Sequence, residues 1–182
     1  MSQEFELISS DAFSLNSAEF FNKPISFSAH NRFVDLLSKI DENGSNFFHH
    51  LVYESFGFSR LEMNALLDLA LPHAHPKHFE QQDKNQQTPL RLMVDKLDNN
   101  GRLAADVFPR CLAWAGNNHV DLSIKDGEGK SIIHCLSELT IRPTYAFQFG
   151  KPVEQALKAF PGINLNELSS GGMTPLYYAL LA

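Results

Sequence analysis

Between Asp83 and Val94 the chain has the sequence Asp-Lys-Asn-Gln-Gln-Thr-Pro-Leu-Arg-Leu-Met-Val, a polar turn followed at once by an apolar segment. The Thr88 side chain can cap a helix by accepting a hydrogen bond from a backbone N–H of its first turn. Pro89 suits the first helical position, because the N–H that proline lacks would have no helical partner there. The stretch therefore predicts a turn that leads directly into a short helix.

The same pattern occurs three more times along the chain. Similar stretches begin at Asp41, at Asp126 and at Ser169, where serine stands in place of the aspartate. The residues in the capping position are 42, 43 and 43 residues apart; they are Asn46, Thr88, Ser131 and Thr174. Regular spacing of the same local chemistry predicts tandem repeats.

These stretches resemble the opening of an ankyrin repeat, Asp-x-x-Gly-x-Thr-Pro-Leu-His-x-Ala. Residues 88–90 and 174–176 match its Thr-Pro-Leu directly, and the other two copies match its glycine and histidine, at Gly44, His49, Gly129 and His134. The period exceeds the family's usual length of about 33 residues by roughly ten. Larger residues also replace the small Ala; they are Leu51, Met93 and Leu136.

The resemblance implies an all-α fold, an ankyrin-repeat solenoid of stacked helix pairs with short β-turn fingers. On this interpretation residues 1–30 form an irregular N-terminal cap and residues 31–182 form the repeat domain. The domain divides into a half repeat 31–40, repeats 41–82, 83–125 and 126–168, and a half repeat 169–182. An unpaired last helix would expose Leu176, Leu180 and Leu181, so we expect either further chain or a partner to cover it.

Apolar spacing predicts the helices around the first turn. Phe33, Leu36, Leu37 and Ile40 fall on one helical stripe that runs straight into the turn at Asp41. Leu61, Ala65, Leu66 and Leu69 predict the outer helix of the first full repeat. The segment 72–82 that follows is polar, and we expect it to be a solvated loop.

Composition and charge exclude several classes of function. With 15 basic and 21 acidic residues the net charge is -6, so nucleic-acid binding is not expected. The start of the chain lacks the features of a secretion signal, and no apolar run approaches the roughly 18 residues that a membrane span needs. We therefore expect an intracellular, cytoplasmic protein. The long, degenerate repeats and frequent Asn and Gln resemble those of bacterial effectors delivered into a host cell.

Two groups of side chains deserve comparison with catalytic or metal sites. His73, His75 and His78 are close in sequence, but the ligand spacings of the common zinc sites are absent, and a metal-responsive module is the less favoured hypothesis. Cys111 and Cys135 lie on predicted helices, where a small core hydrophobe is the common role of a free cysteine. We predict no catalytic residue, no metal and no cofactor.

The resemblance implies binding of a protein partner through the finger tips and the exposed ends of the inner helices on the concave side. The tips would be Glu42, Asn43, Ser45, Lys84, Asn85, Gln87, Gly127, Glu128 and Lys130. The inner-helix ends would be Tyr53, Glu54, Asp95, Lys96, Glu138 and Leu139. Acidic residues among them favour a partner with a basic surface. By the same resemblance, His49 and His134 would tie one finger to the next.

The sequence leaves a second functional class open. The chain would then be the substrate-targeting N-terminal portion of a larger enzyme or effector, with a catalytic domain beyond Ala182. The length of the natural reading frame separates the two hypotheses. The oligomeric state is not indicated by the sequence.

Overall fold

The computed structural model of this chain is mostly helical, and it describes residues 6–8, 33–53, 59–97, 107–139 and 152–181. Among the described residues, the first helical segment is at residues 33–37. The helices that follow are α1 (Phe47–Tyr53), α2 (Arg60–Ala70), α3 (Pro76–Glu80), α4 (Pro89–Lys96), α5 (Phe108–Asn117), α6 (Ile132–Leu139), α7 (Pro152–Ala159) and α8 (Pro175–Leu181). A 3-10 turn, Leu71–His73, joins α2 to the segment before α3.

The predicted all-α character is confirmed, and two three-residue strands are a minor addition to the helices. β1 (Glu6–Ile8) pairs in parallel with β2 (Lys39–Asp41), with Leu7 opposite Ile40. Ile40 was predicted to end a helical stripe, but helical structure ends at residue 37 and Ile40 belongs to β2. β1 falls within the predicted irregular cap, the rest of which lies outside the described residues. Its pairing partner is some thirty residues away along the chain, so the local pattern does not reveal it.

Four turns share one hydrogen-bonding pattern, and we number them first to fourth: residues 41–45, 83–87, 126–130 and 169–173. In each turn the backbone N–H of the first residue donates to the carbonyl of the fifth, and the N–H of the fourth donates to the carbonyl of the first, at 2.8 to 3.0 Å. The aspartates add a second layer, because one carboxylate oxygen of each accepts the N–H groups of the third and fifth residues at 2.8 or 2.9 Å. The turns predicted at these positions are confirmed.

The fourth residue of every turn has a positive φ. Gly44, Gly129 and Gly172 have φ of 75°, 75° and 74°, a conformation that glycine adopts without a steric penalty. The second turn has Gln86 there instead, with φ 58°. A residue with a Cβ is disfavoured in this region by about 1–2 kcal/mol, so the second turn carries a local strain that the others lack.

The helices that directly follow the turns, which we call the inner helices, pack on one another in order: α1 on α4, α4 on α6 and α6 on α8. On the other side α5 packs on α4 and on α7. The residues predicted to face inward are buried; they are Phe48, Leu51, Val52, Leu90, Met93, Val94, Ile133 and Leu136. Phe79 links the layers, since its ring lies 4.3 Å from that of Phe48 and 5.1 Å from that of Trp114.

The outer helix predicted after α1 is confirmed as α2, but Leu61 does not lie on its buried face. Leu61 is 82% exposed, and the buried face of α2 is formed by Met63, Leu66, Leu67 and Ala70. Leu61 precedes Leu66 by five residues, so it cannot share the face that residues three and four apart share. The segment 72–82 is not a solvated loop either, because it contains α3, where His78 and Phe79 are buried.

The core predicts a large difference between two leucine-to-alanine substitutions. Leu90→Ala should lower the free energy of unfolding by about 2–5 kcal/mol, because Leu90 is buried against neighbouring inner helices. Leu61→Ala is the matched control and should change stability little, since its side chain is already in solvent. Urea denaturation of both variants tests this, and equal effects would contradict the assigned core.

The strain in the second turn predicts a stabilising substitution. Gln86→Gly should raise the free energy of unfolding by a few tenths to about 1 kcal/mol, because glycine relieves the unfavourable φ but adds entropy to the unfolded chain. Gly129→Ala should destabilise, because the added Cβ would approach Ser170 Oγ to 2.1 Å at a positive φ. Thermal melting measures both effects, and a lower melting temperature for Gln86→Gly would show that this turn is not strained.

Candidate functional site

Two buried histidines connect successive turns. Nδ1 of His49 accepts the backbone N–H of Asn46 at 3.2 Å, which leaves Nε2 to donate to the Gln87 carbonyl of the second turn at 3.0 Å. His134 repeats the arrangement, with Nδ1 bound to Ser131 and Nε2 lying 3.1 Å from the Met173 carbonyl of the fourth turn. The predicted structural role of His49 and His134 is confirmed.

Arg91 makes the corresponding connection from the second copy to the third turn. It occupies the same register as the two histidines, three residues after the capping residue Thr88. Its Nε donates to the Asp126 carboxylate at 2.8 Å, and its guanidinium also pairs with Asp95 one helical turn along α4. The sequence-based prediction did not include Arg91. Its position, three residues after a capping residue as for His49 and His134, was a usable signal.

A hollow of about 370 Å³ opens between the second and third turns. Its lining residues come from those turns and from α4; they are Asn85, Gln87, Arg91, Asp95, Asp126, Gly127 and Glu128. Five of them belong to the surface predicted from sequence, and Arg91 and Asp126 are additions. Gln87 Nε2 donates to Asp95 at 2.7 Å, so a side chain from the turn is held against the helix. With three carboxylates and one guanidinium the hollow has a net negative charge.

Lys130 gathers a second group of predicted residues. Its ammonium lies 2.9 Å from the Glu138 carboxylate, 3.1 Å from that of Glu128 and 4.8 Å from the centre of the Tyr178 ring. Burial lowers the pKa of Lys130, but its hydrogen bonds to Glu138 and Glu128 outweigh that effect and the pKa is raised. Glu138 and Asp95 are therefore both paired with basic side chains, which the sequence-based prediction of an acidic strip did not include.

The other predicted surface residues differ in exposure. Glu42, Lys84 and Asn85 are exposed, Asn43 and Lys96 are intermediate, and Glu54 lies outside the described residues. Lys84 donates through its backbone N–H to the Asn43 carbonyl and through Nζ to the Asn43 side chain, both at 2.7 Å. These bonds join the tips of the first and second turns.

Two residues predicted to contact a partner are buried, and a third is fixed by a hydrogen bond. Ser45 is buried at the base of the first turn, where its N–H donates to the Asp41 carboxylate. Leu139 is buried in the core. Tyr53 is 43% exposed, and its hydroxyl donates to the Asp83 carboxylate at 3.2 Å.

A larger cleft of about 890 Å³ lies between the C-terminal end of α5 and the loop after α7. Val120, Leu122, Phe160 and Ile163 supply apolar lining, and exposed polar residues such as His119 and Lys158 surround them. α5 and α7 approach each other closely here, as shown by the 2.2 Å that would separate a Cβ on Gly116 from the Ala159 carbonyl oxygen. The cleft arises where two distant loops meet, so no local pattern predicts it.

The two cysteines are buried, and two histidines of the histidine-rich segment cap a helix. Burial raises the pKa of the Cys111 and Cys135 thiols to about 12, so both are protonated at neutral pH. His75 and His78 cap α3, where the backbone N–H of His75 donates to Nδ1 of His78 at 3.0 Å. Within the described ranges, no three His, Cys, Asp or Glu side chains are grouped closely enough to hold a metal ion.

No protein-family model matches the chain, and no curated protein matches it. In the part of the chain that the structure describes, no helix has the length and apolar character needed to cross a bilayer. The interpretation of this surface therefore depends on its own residues and geometry.

The buried histidines predict that stability falls in acid. Burial lowers the pKa of His49 from 6.5 to about 4, and burial together with His75 lowers that of His78 to about 4. The unfolded chain therefore binds protons first as the pH falls, and the native state loses stability between about pH 6.5 and about pH 4. His49 alone should contribute about 3 kcal/mol to this loss.

Urea denaturation at a series of pH values measures the effect. His49→Gln should be less stable than the wild type at neutral pH, because its bond to Gln87 changes, but should lose less on acidification. His119→Asn replaces an exposed histidine at a positive φ that asparagine tolerates and should keep the wild-type pH profile. A wild-type stability that is constant from pH 6.5 to pH 4 would contradict the prediction.

Proposed function

We propose that this chain is an ankyrin-type repeat protein whose function is the non-catalytic recognition of a protein partner. The observation that carries the proposal is the hollow between the second and third turns. There, residues of two turns and of one inner helix meet at a single surface, and most of the lining was expected from the resemblance alone.

The repeat assignment is supported by the recurrence of the same interactions at intervals of 42 or 43 residues. Each of the four turns has the same backbone hydrogen bonds and leads into an inner helix. His49, Arg91 and His134 stand in the same register and each reach forward to the next turn. A chain built of such units forms an extended surface from equivalent positions, which is how repeat proteins bind partners.

The charges of the hollow favour a basic partner. Asp95 and Glu128 are accessible, with side chains 40% and 71% exposed, whereas Asp126 is almost fully buried against Arg91. A lysine or arginine side chain of the partner could therefore compete for Asp95 and Glu128. Because these carboxylates already have basic neighbours, we expect them to contribute mainly to specificity and to the association rate.

Tyr53 is a partly exposed aromatic residue bound to the second turn, which also lines the hollow. Its ring is partly exposed, and its hydroxyl is fixed by Asp83 at the start of the second turn. A tyrosine that is already ordered loses little conformational freedom when it binds, and aromatic residues are enriched among those that dominate binding energy. We propose that Tyr53 contacts the partner beside the acidic hollow.

Charge reversal in the hollow tests this function. The variant Asp95→Lys/Glu128→Lys should retain the partner at least 10-fold less well than the wild type in quantitative affinity purification. The matched control is Asp68→Lys/Glu154→Lys, which reverses two exposed acids on α2 and α7 that are also paired with basic side chains. Thermal melting of both variants checks that they remain folded.

Candidate partners are the proteins that the wild type retains, and the proposal predicts one that the control also retains and the hollow variant loses. With that protein purified, the wild type should associate more slowly as salt concentration rises, and the hollow variant should show a flatter salt dependence. If the control loses the partner while the hollow variant keeps it, the partner binds to the outer helices and the proposed surface is wrong.

A further inference from the structure

The last inner helix, α8, has one apolar face in solvent. Its other face packs on α6, and Pro175 is buried. Leu176, Tyr177, Leu180 and Leu181 are 68%, 42%, 76% and 66% exposed. Residues four apart on a helix lie on the same side, so Leu176 with Leu180 and Tyr177 with Leu181 form two adjacent apolar rows. We call these four residues the α8 face.

Exposed apolar side chains are concentrated in this part of the molecule. Among the described residues, eight large hydrophobic side chains are exposed, and six of them lie between residues 165 and 181. The other two, Tyr53 and Leu61, belong to α1 and α2. Isolated exposed leucines are ordinary, but large exposed apolar side chains that lie next to one another mark an interaction site.

The same region carries almost no charge. Residues 163–181 contain one charged side chain, Glu167, in a chain whose net charge is -6. The Glu167 carboxylate accepts a hydrogen bond from Ser131 Oγ at 2.9 Å and is therefore directed towards the start of α6. Two copies of this chain would repel each other through most of their surfaces, but not where two α8 faces meet.

We propose that the α8 face is a self-association surface through which two copies of this chain form a symmetric dimer. A twofold axis brings the same patch of each copy together, which requires only that the patch be complementary to itself. Rows of leucine with one tyrosine satisfy that condition, because apolar contact is not directional. The uncharged fourth turn, which leads directly into α8, supplies an exposed rim at Ser170, Gly171 and Gly172.

The small number of residues in the α8 face favours a dimer of modest affinity. A standard stable interface takes roughly 20–30 residues from each partner, whereas the α8 face provides four. The fourth turn and the preceding loop, with exposed Leu165 and Leu168, are the nearest sources of the remainder. We therefore expect the monomer and dimer to exchange at micromolar concentrations.

The proposed dimer is independent of the hollow between the second and third turns. Asp95 and Glu128 are not part of the α8 face, so each copy keeps its own recognition surface. A dimer would present two such surfaces, and a partner with two matching sites would bind with higher avidity than either surface alone provides.

Sedimentation velocity of the full chain at roughly 1–100 µM tests the proposal, because this range brackets a micromolar dissociation constant. The wild-type mass should rise with concentration from 20.5 kDa towards twice that value. Leu176→Glu/Leu180→Glu should remain monomeric throughout, because it places two charges on each side of the interface. Leu61→Glu, which changes the most exposed leucine of α2, should dimerise like the wild type.

A neutral variant separates loss of the interface from loss of the fold. Leu176→Ser/Leu180→Ser removes the apolar contacts without adding charge, and it should also be monomeric while its circular dichroism spectrum and melting remain close to those of the wild type. A wild type that stays monomeric at every concentration overturns the proposal. So does a dimer that survives in both α8 variants, or one that is lost equally in Leu61→Glu. None of these results depends on the proposed partner.

Discussion

The rest of the structure depends on the hydrogen bonds between each turn aspartate carboxylate and the backbone of its own turn. Asp41, Asp83 and Asp126 are buried, and one oxygen of each accepts two backbone N–H groups of its own turn. Hydrogen bonds to an ionised acceptor are the stronger kind, and they satisfy donors that would otherwise be buried without partners. The turn in consequence sets the direction in which the following inner helix begins.

The second oxygen of the same carboxylates connects the turns to the side chains of inner helices. Asp83 accepts from Tyr53 on α1, and Asp126 accepts from Arg91 on α4. Asp41 Oδ2 lies 3.0 Å from Nε2 of His50, on the helix that follows its own turn. A single side chain thus supports both the local turn and the packing of neighbouring units. The surface proposed for recognition is built directly on this framework, so its residues are held in place before any partner arrives.

The copies differ in the kind of contact that joins them. His49 and His134 form hydrogen bonds to backbone carbonyls in buried surroundings, whereas Arg91 forms an ion pair at the edge of the hollow. The histidines suit a role inside the fold, because burial keeps the His49 pKa far below neutrality. Arg91 places a paired charge in the lining of the hollow, which is consistent with the proposed binding function of that junction. The outward face of α8 has neither such a hydrogen bond nor such an ion pair among the described residues and is apolar instead.

The sequence by itself determined the local features, because each depends on neighbouring residues only. These are the four turns, the helix starts at Pro89 and Pro175, and the inward-facing residues of α1, α4 and α6. Each turn is formed by five consecutive residues, and the inward face of a helix follows from the spacing of its apolar residues. The resemblance to ankyrin repeats arose from these same local patterns.

Only the tertiary structure decided which side chains meet across the copies. The pairing of β1 with β2, the burial of Ser45 and α3, the ion pair of Arg91 with Asp126, and the neutralisation of Glu138 by Lys130 all join elements that come together only on folding. A residue's charge can be read from its identity, but whether that charge is free or paired depends on distances of a few ångströms between separate elements. That is why the sequence could predict five of the surface residues that line the hollow but not the ion pairs among them.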